Sequence, residues 1–68
     1  MFSKNLTFIG AFESNFKDVS YNIYKFADPL SYRILYFSTE KKYNLEVGLV
    51  YNCLIEVKNN KFKITNVK

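Results

Sequence analysis

The sequence predicts an all-β protein assembled from five short antiparallel strands. Three observations carry that reading. Runs rich in Val, Ile, Tyr and Phe recur along the chain and are separated by short turn signals. Gly10 and Gly48 stand where a strand can bend or bulge. The C-terminal third alternates with period two, and its apolar face stays on one side when the segment is folded back on itself.

The first strand is Leu6–Glu13 (LTFIGAFE), with Leu6, Phe8, Gly10 and Phe12 on one side. Ser14–Asp28 is ambiguous. Phe12, Phe16, Val19, Ile23 and Phe26 follow a 4-3-4-3 spacing, which is an amphipathic-helix stripe, so a helix over 15–27 is one expectation. Val19–Phe26 (VSYNIYKF) is nevertheless composed of β-formers, and Pro29 disfavours helical geometry at Asp28. The favoured expectation is a strand over Tyr21–Phe26, a turn at Asp28-Pro29, and a third strand at Tyr32–Ser38. Leu45–Gly48 leads into Val50–Val57, which is joined to Phe62–Val67 by a two-residue turn at Asn59-Asn60; Asn tolerates the positive φ of a type I′ turn. Pairing outward from that turn sets Lys58 against Lys61, Val57 against Phe62, Glu56 against Lys63 and Ile55 against Ile64. Cys53, Ile55, Val57, Phe62 and Ile64 then share one face.

Sixty-eight residues make a single domain, 1–68, which buries only about 60% of its unfolded surface. A sheet this small avoids exposed edges best by closing on itself. The expected architecture is a small five-stranded OB-like barrel, with an SH3-like barrel as the alternative.

Composition narrows the function. There is no histidine and one cysteine, Cys53, so an intrachain disulfide and the usual Cys/His zinc sites are excluded. The commonest general base is missing, and the acidic residues are too dispersed for a catalytic pair or a hard-cation site. No catalytic residue, cofactor, metal or small-molecule substrate is expected, and an enzyme is not. No apolar run approaches the length of a membrane span and no signal-peptide pattern opens the chain; a reduced, cytoplasmic protein with no membrane partner is expected. Seven Phe, six Tyr and a net charge of +4 remain. Cations follow phosphates and rings stack on bases, so this mixture suits single-stranded nucleic acid. The same mixture also arises from A/T-rich codons, since Lys, Asn, Phe, Tyr and Ile make up 35 of the 68 residues.

Placement must therefore decide. With a loop at Ala27–Leu30, Phe26 faces Ser31, Tyr24 faces Arg33 and Ile23 faces Ile34. Val19, Tyr21, Ile23, Ile34 and Tyr36 share one face of this hairpin; Asn22, Tyr24, Phe26, Arg33, Leu35 and Phe37 share the other. A different loop length would let Tyr32 and Tyr36 join Tyr24 and Phe26. The candidate site has bases stacking on Tyr24, Phe26 and Tyr32, with Arg33, Lys17, Lys25, Lys41 and Lys42 neutralising phosphates. Lys58 and Lys61 read instead as edge protection.

Gly48–Leu54 (GLVYNCL), the closing Lys61–Lys68 (KFKITNVK) and the aromatic, arginine-bearing hairpin Tyr21–Ser38 together resemble the filamentous-phage helix-destabilising proteins, which bind single-stranded DNA. This chain is shorter, with a minimal turn at Asn59-Asn60 where that family has a longer dyad hairpin. The resemblance implies an OB-fold, a homodimer, and cooperative, sequence-tolerant coating of single-stranded DNA, or RNA, in a bacterial host during phage or mobile-element replication. The competing expectation is a protein-binding module, such as a phage-encoded inhibitor of a host protein, that uses the same aromatic surface as an anchor. A third is a structural subunit whose rings are consumed in a homo-oligomer.

Overall fold

Non-glycine residues with positive φ mark where the chain reverses: Lys17 and Asp18 (φ 51° and 64°), then Asn59 and Asn60 (52° and 62°). Each pair forms a two-residue turn of the type that matches strand twist. Around these turns the computed structural model, which describes residues 1–68, places five strands: β1 (Phe2–Phe16), β2 (Val19–Ala27), β3 (Ile34–Thr39), β4 (Val50–Lys58) and β5 (Lys61–Val67). They form one antiparallel sheet in the order β3-β2-β1-β4-β5. Three meandering strands followed by a fourth that returns beside the first is a Greek key. β3 and β5, the two ends of the row, come into contact without ladder bonds, which makes a partly open OB-like barrel. No helix is long and apolar enough to cross a membrane.

β1 serves both halves of the barrel. Phe2–Thr7 pairs with β4 and Thr7–Phe16 with β2. The register slips between Phe8 and Gly10, leaving Ile9 unmatched, and such a bulge bends the strand as barrel closure requires. It also reverses the phase. Leu6 and Phe8 are buried, but past the bulge Ala11 stands opposite the inward Tyr24 and Phe12 opposite Ile23. The expected single face of Leu6, Phe8, Gly10 and Phe12 is therefore broken, with Phe12 turned outward.

The helix considered for 15–27 is a strand–turn–strand instead. Its 4-3-4 spacing has a different origin: a turn at Lys17-Asp18 sets Phe12 against Ile23 and Phe16 against Val19, so residues symmetric about the turn share a face as a helical stripe would.

The core is Leu6, Phe8, Tyr24, Phe26, Leu35, Phe37, Cys53, Ile55, Ile64 and Val67. The β4–β5 pairing from Lys58↔Lys61 to Ile55↔Ile64 is as the sequence predicts. Beyond it a bulge opposite Leu54 and Ile55 lets both Ile64 and Val67 point inward. Burial pushes the Cys53 thiol up to about 11, so it is an inert core group.

The segment Glu40–Leu49 straps one end of the barrel. Tyr43 inserts edge-on against Tyr24 and Phe37, and its backbone N–H donates to the Tyr24 hydroxyl (2.6 Å). Gly48, at φ 93°, ends the strap; its N–H donates to the Phe8 carbonyl (2.9 Å) while the Phe8 N–H donates to Leu49 (3.0 Å). An L side chain at that φ is strained even though space is open. Gly48→Ala is expected to cost about 1–2 kcal/mol, which thermal unfolding would read as a drop of roughly 4–16 °C in a domain of this size.

Candidate nucleic-acid interface

Thirteen rings cannot all fit inside so small a barrel, and the fold divides them. Phe8, Tyr24, Phe26 and Phe37 are buried, with Tyr43 and Tyr51 packed against them. Phe2 and Phe62 meet edge to face at one end. Phe12, Phe16, Tyr21 and Tyr36 lie on the outer surface, and Tyr32 stands on a loop.

This division overturns part of the expected site. Tyr24 is 4% and Phe26 0% exposed, so neither can receive a base. Both pack on Phe8, and Tyr24 also on Tyr43. In the β2–β3 register Tyr24 faces Phe37, Phe26 faces Leu35 and Ala27 faces Ile34, a shift of four from the expected pairing. Because the shift is even, the two faces keep their membership. The side carrying Tyr24, Phe26, Leu35 and Phe37 packs on Phe8 and forms the core; Val19, Tyr21, Ile23, Ile34 and Tyr36 are the side that meets water. Arg33 falls outside β3 and its guanidinium lies 5.0 Å over the Phe62 ring, bridging β3 to β5 as a cation–π contact.

The outward side is a continuous surface across three strands. Phe12↔Ile23, Ser14↔Tyr21, Phe16↔Val19, Lys25↔Tyr36 and Ala27↔Ile34 pair directly across it. Phe12, Phe16, Tyr36 and Ile34 are 51%, 63%, 48% and 43% exposed, so large apolar side chains meet solvent across this side. The outer side of the other half contrasts with it. There Asn5 pairs with Asn52, whose amide donates to it (3.1 Å), and Glu56 with Lys63.

Cations frame the aromatic side. Lys25 sits within it beside Tyr36. Lys17 occupies the β1–β2 turn, 5.4 Å from the Phe16 ring. Lys41 and Lys42 are exposed at the same end, where the Asn22 amide donates to the Lys41 carbonyl (3.1 Å). Arg33, Lys58 and Lys61 stand at the opposite end.

Tyr32, 86% exposed and in left-handed geometry (φ 60°), shares the β2–β3 loop with Leu30, 82% exposed. That loop is fastened from within. Asp28, itself buried, pairs with Lys4; its carboxylate accepts the Leu30 N–H (2.9 Å) and its carbonyl the Tyr32 N–H (2.8 Å). The Lys4 hydrogen bond, aided by the Leu30 N–H, holds the Asp28 carboxyl down to about 2 against an ordinary value of 3.8. A carboxyl held low contributes stability that is present above its unfolded pKa and lost as pH falls from about 4 through 2. Acid unfolding followed by circular dichroism should therefore begin at higher pH in Lys4→Met than in the wild type.

Of the eight residues that the sequence singled out, Tyr24 and Phe26 are buried, and Lys17, Lys25, Tyr32, Arg33, Lys41 and Lys42 reach the surface. Phe12, Phe16 and Tyr21 were not singled out, and Tyr36 only for a different loop length; the symmetry of Phe12, Phe16, Val19 and Ile23 about Lys17-Asp18 was the signal that could have placed Phe12 and Phe16 on the outer side. No family model, curated protein or solved structure matches the chain.

Proposed function

We propose that the protein binds single-stranded nucleic acid on the outer side of β1, β2 and β3, without sequence preference and without a catalytic step. The supporting observation is a sheet surface bearing Phe12, Phe16, Tyr21 and Tyr36, with Lys25 inside it and Lys17, Lys41 and Lys42 at its end. Rings on a sheet offer every base the same π-face, while lysines track the backbone. Strands 2 and 3 are also the side on which OB-folds take oligonucleotides. The resemblance carried by Gly48–Leu54 and Lys61–Lys68 adds the setting of phage or mobile-element replication. Titration with oligo(dT) should quench tyrosine fluorescence, and affinity should fall steeply with salt as counterions are released. Absence of binding at about 50 mM salt, where phosphate contacts are strong, would overturn the reading. The second reading, a protein-binding module, is favoured by one observation: Leu30 and Tyr32 are displayed together on a loop tied down by Asp28, as anchor residues for a protein partner are. It predicts capture that is indifferent to oligonucleotides and to salt.

A further inference from the structure

We infer that two copies of the chain pair through the free edge of β1, antiparallel, about a two-fold axis at Ser14. The inference starts from unmet backbone groups. In a two-residue hairpin the pair flanking the turn, here Phe16↔Val19, exchanges both hydrogen bonds, and every second pair does likewise. Ser14↔Tyr21 and Phe12↔Ile23 therefore bond to β2, and the N–H and C=O groups of Ala11, Glu13 and Asn15 point away from it. β4 covers β1 only as far as Thr7, and Gly48 and Leu49 take up Phe8. No backbone hydrogen bond outside the ladders involves Ile9–Phe16.

An edge left this way is a template for another strand, and natural sheets blunt such edges with charged residues, proline, bulges or a covering loop. The bulge lies at Ile9, at the start of the segment, and from Gly10 to Phe16 there is no lysine or proline and Glu13 is the one charge. Beside it lies an open cleft of about 380 Å³ between the β1–β2 ribbon and the strap, lined by Ala11, Phe12, Glu13 and Val47 among others. The β3 and β5 edges, by contrast, face each other.

Register selects a second copy as the occupant. Centred on Phe12, the pairing would set Phe16 against a partner Phe8 whose edge Gly48 and Leu49 already hold. Centred on Glu13, it would oppose two carboxylates directly, which is destabilising. Centred on Ser14, Glu13 bonds to Asn15 of the other copy, and Phe12 stands opposite the other Phe16 in the close, non-hydrogen-bonded position, twice over. Glu13 then opposes no carboxylate directly, the other Glu13 standing only on a diagonal, and the turn that bears Lys17 of the other copy lies just beyond its partner Asn15. The chain is its own complement in this register. The result is a six-stranded sheet in which the two aromatic sides become one.

Two variants of the full chain test this. Ser14→Cys places two thiols across the axis at a close pair, where a disulfide can form; Cys53 is buried and does not compete. Mild oxidation should give a covalent dimer about tenfold or more faster than Ser31→Cys, because pairing raises the effective thiol concentration. Glu13→Pro removes an N–H that only the second copy would use. It should keep the circular dichroism spectrum while halving the solution mass from twice 8.1 kDa to 8.1 kDa. A wild type of 8.1 kDa at every concentration, or cross-linking no faster than Ser31→Cys, overturns the inference even if Glu13→Pro fails to fold. Oligonucleotide titration separates the two ideas: a dimer that ignores nucleic acid overturns only the proposed function, and a monomer that binds it overturns only the dimer.

Discussion

Replacing Phe26 by alanine is expected to unfold the protein. The ring is fully buried and stacks obliquely on Phe8 with centroids 5.4 Å apart, at the point where β1, β2 and β3 share the core. Truncating a buried phenylalanine costs about 3–5 kcal/mol through lost transfer energy and the cavity left behind. A chain of this length has roughly 3–10 kcal/mol in total, so the native spectrum should be lost or the denaturation midpoint fall by about a third or more. Tyr36→Ala, on the same hairpin but the other side, should stay within about 0.5 kcal/mol of the wild type. The two together decide which side of the β2–β3 hairpin is inside. A folded Phe26→Ala beside an unfolded Tyr36→Ala would restore the inverse assignment.

The second large effect is on binding. Tyr36→Ala should weaken oligo(dT) affinity about 5- to 150-fold, since one base–ring stack is worth about 1–3 kcal/mol. Tyr36 is remote from the β1 edge, so the loss does not pass through dimerisation. Its neighbour gives the electrostatic counterpart: Lys25→Ala should lower the slope of log affinity against log salt by about 1. Fluorescence titration of each variant at several salt concentrations measures both. Unchanged affinity in Tyr36→Ala would remove the stacking surface from the proposal.

How far the sequence revealed this fold depended on the turns. Asn59-Asn60 declares itself, because asparagine is among the few residues at ease with positive φ, and the β4–β5 pairing next to the turn could be written down residue by residue. Lys17-Asp18 does not declare itself: a lysine at φ 51° is held there by the hairpin around it, not by its own preference. Missing that turn left β1 too short and let a symmetric hairpin pass for a helical stripe. The β2–β3 loop was misjudged because Asp28 spends its hydrogen-bonding capacity on residues up to Arg33, lengthening the loop beyond the turn that Pro29 suggests. The faces were sorted correctly even so. Their assignment to inside and outside was not legible, because both are aromatic; it is settled by contacts with Phe8 and Tyr43, which are far away in the chain.

The unbonded seam between β3 and β5 makes the girth of the barrel depend on side-chain packing rather than on ladder bonds. Side-chain contacts hold it shut: the shared core of Leu35, Phe37, Ile64 and Val67, Arg33 over Phe62 and the Tyr43 hydroxyl donating to Asn66, so widening it would break no ladder bond but would open the core. Amide hydrogens along the outer sides of β3 and β5 should exchange with solvent first, and those around Leu6–Phe8, where the β4 and β2 ladders meet on β1, last.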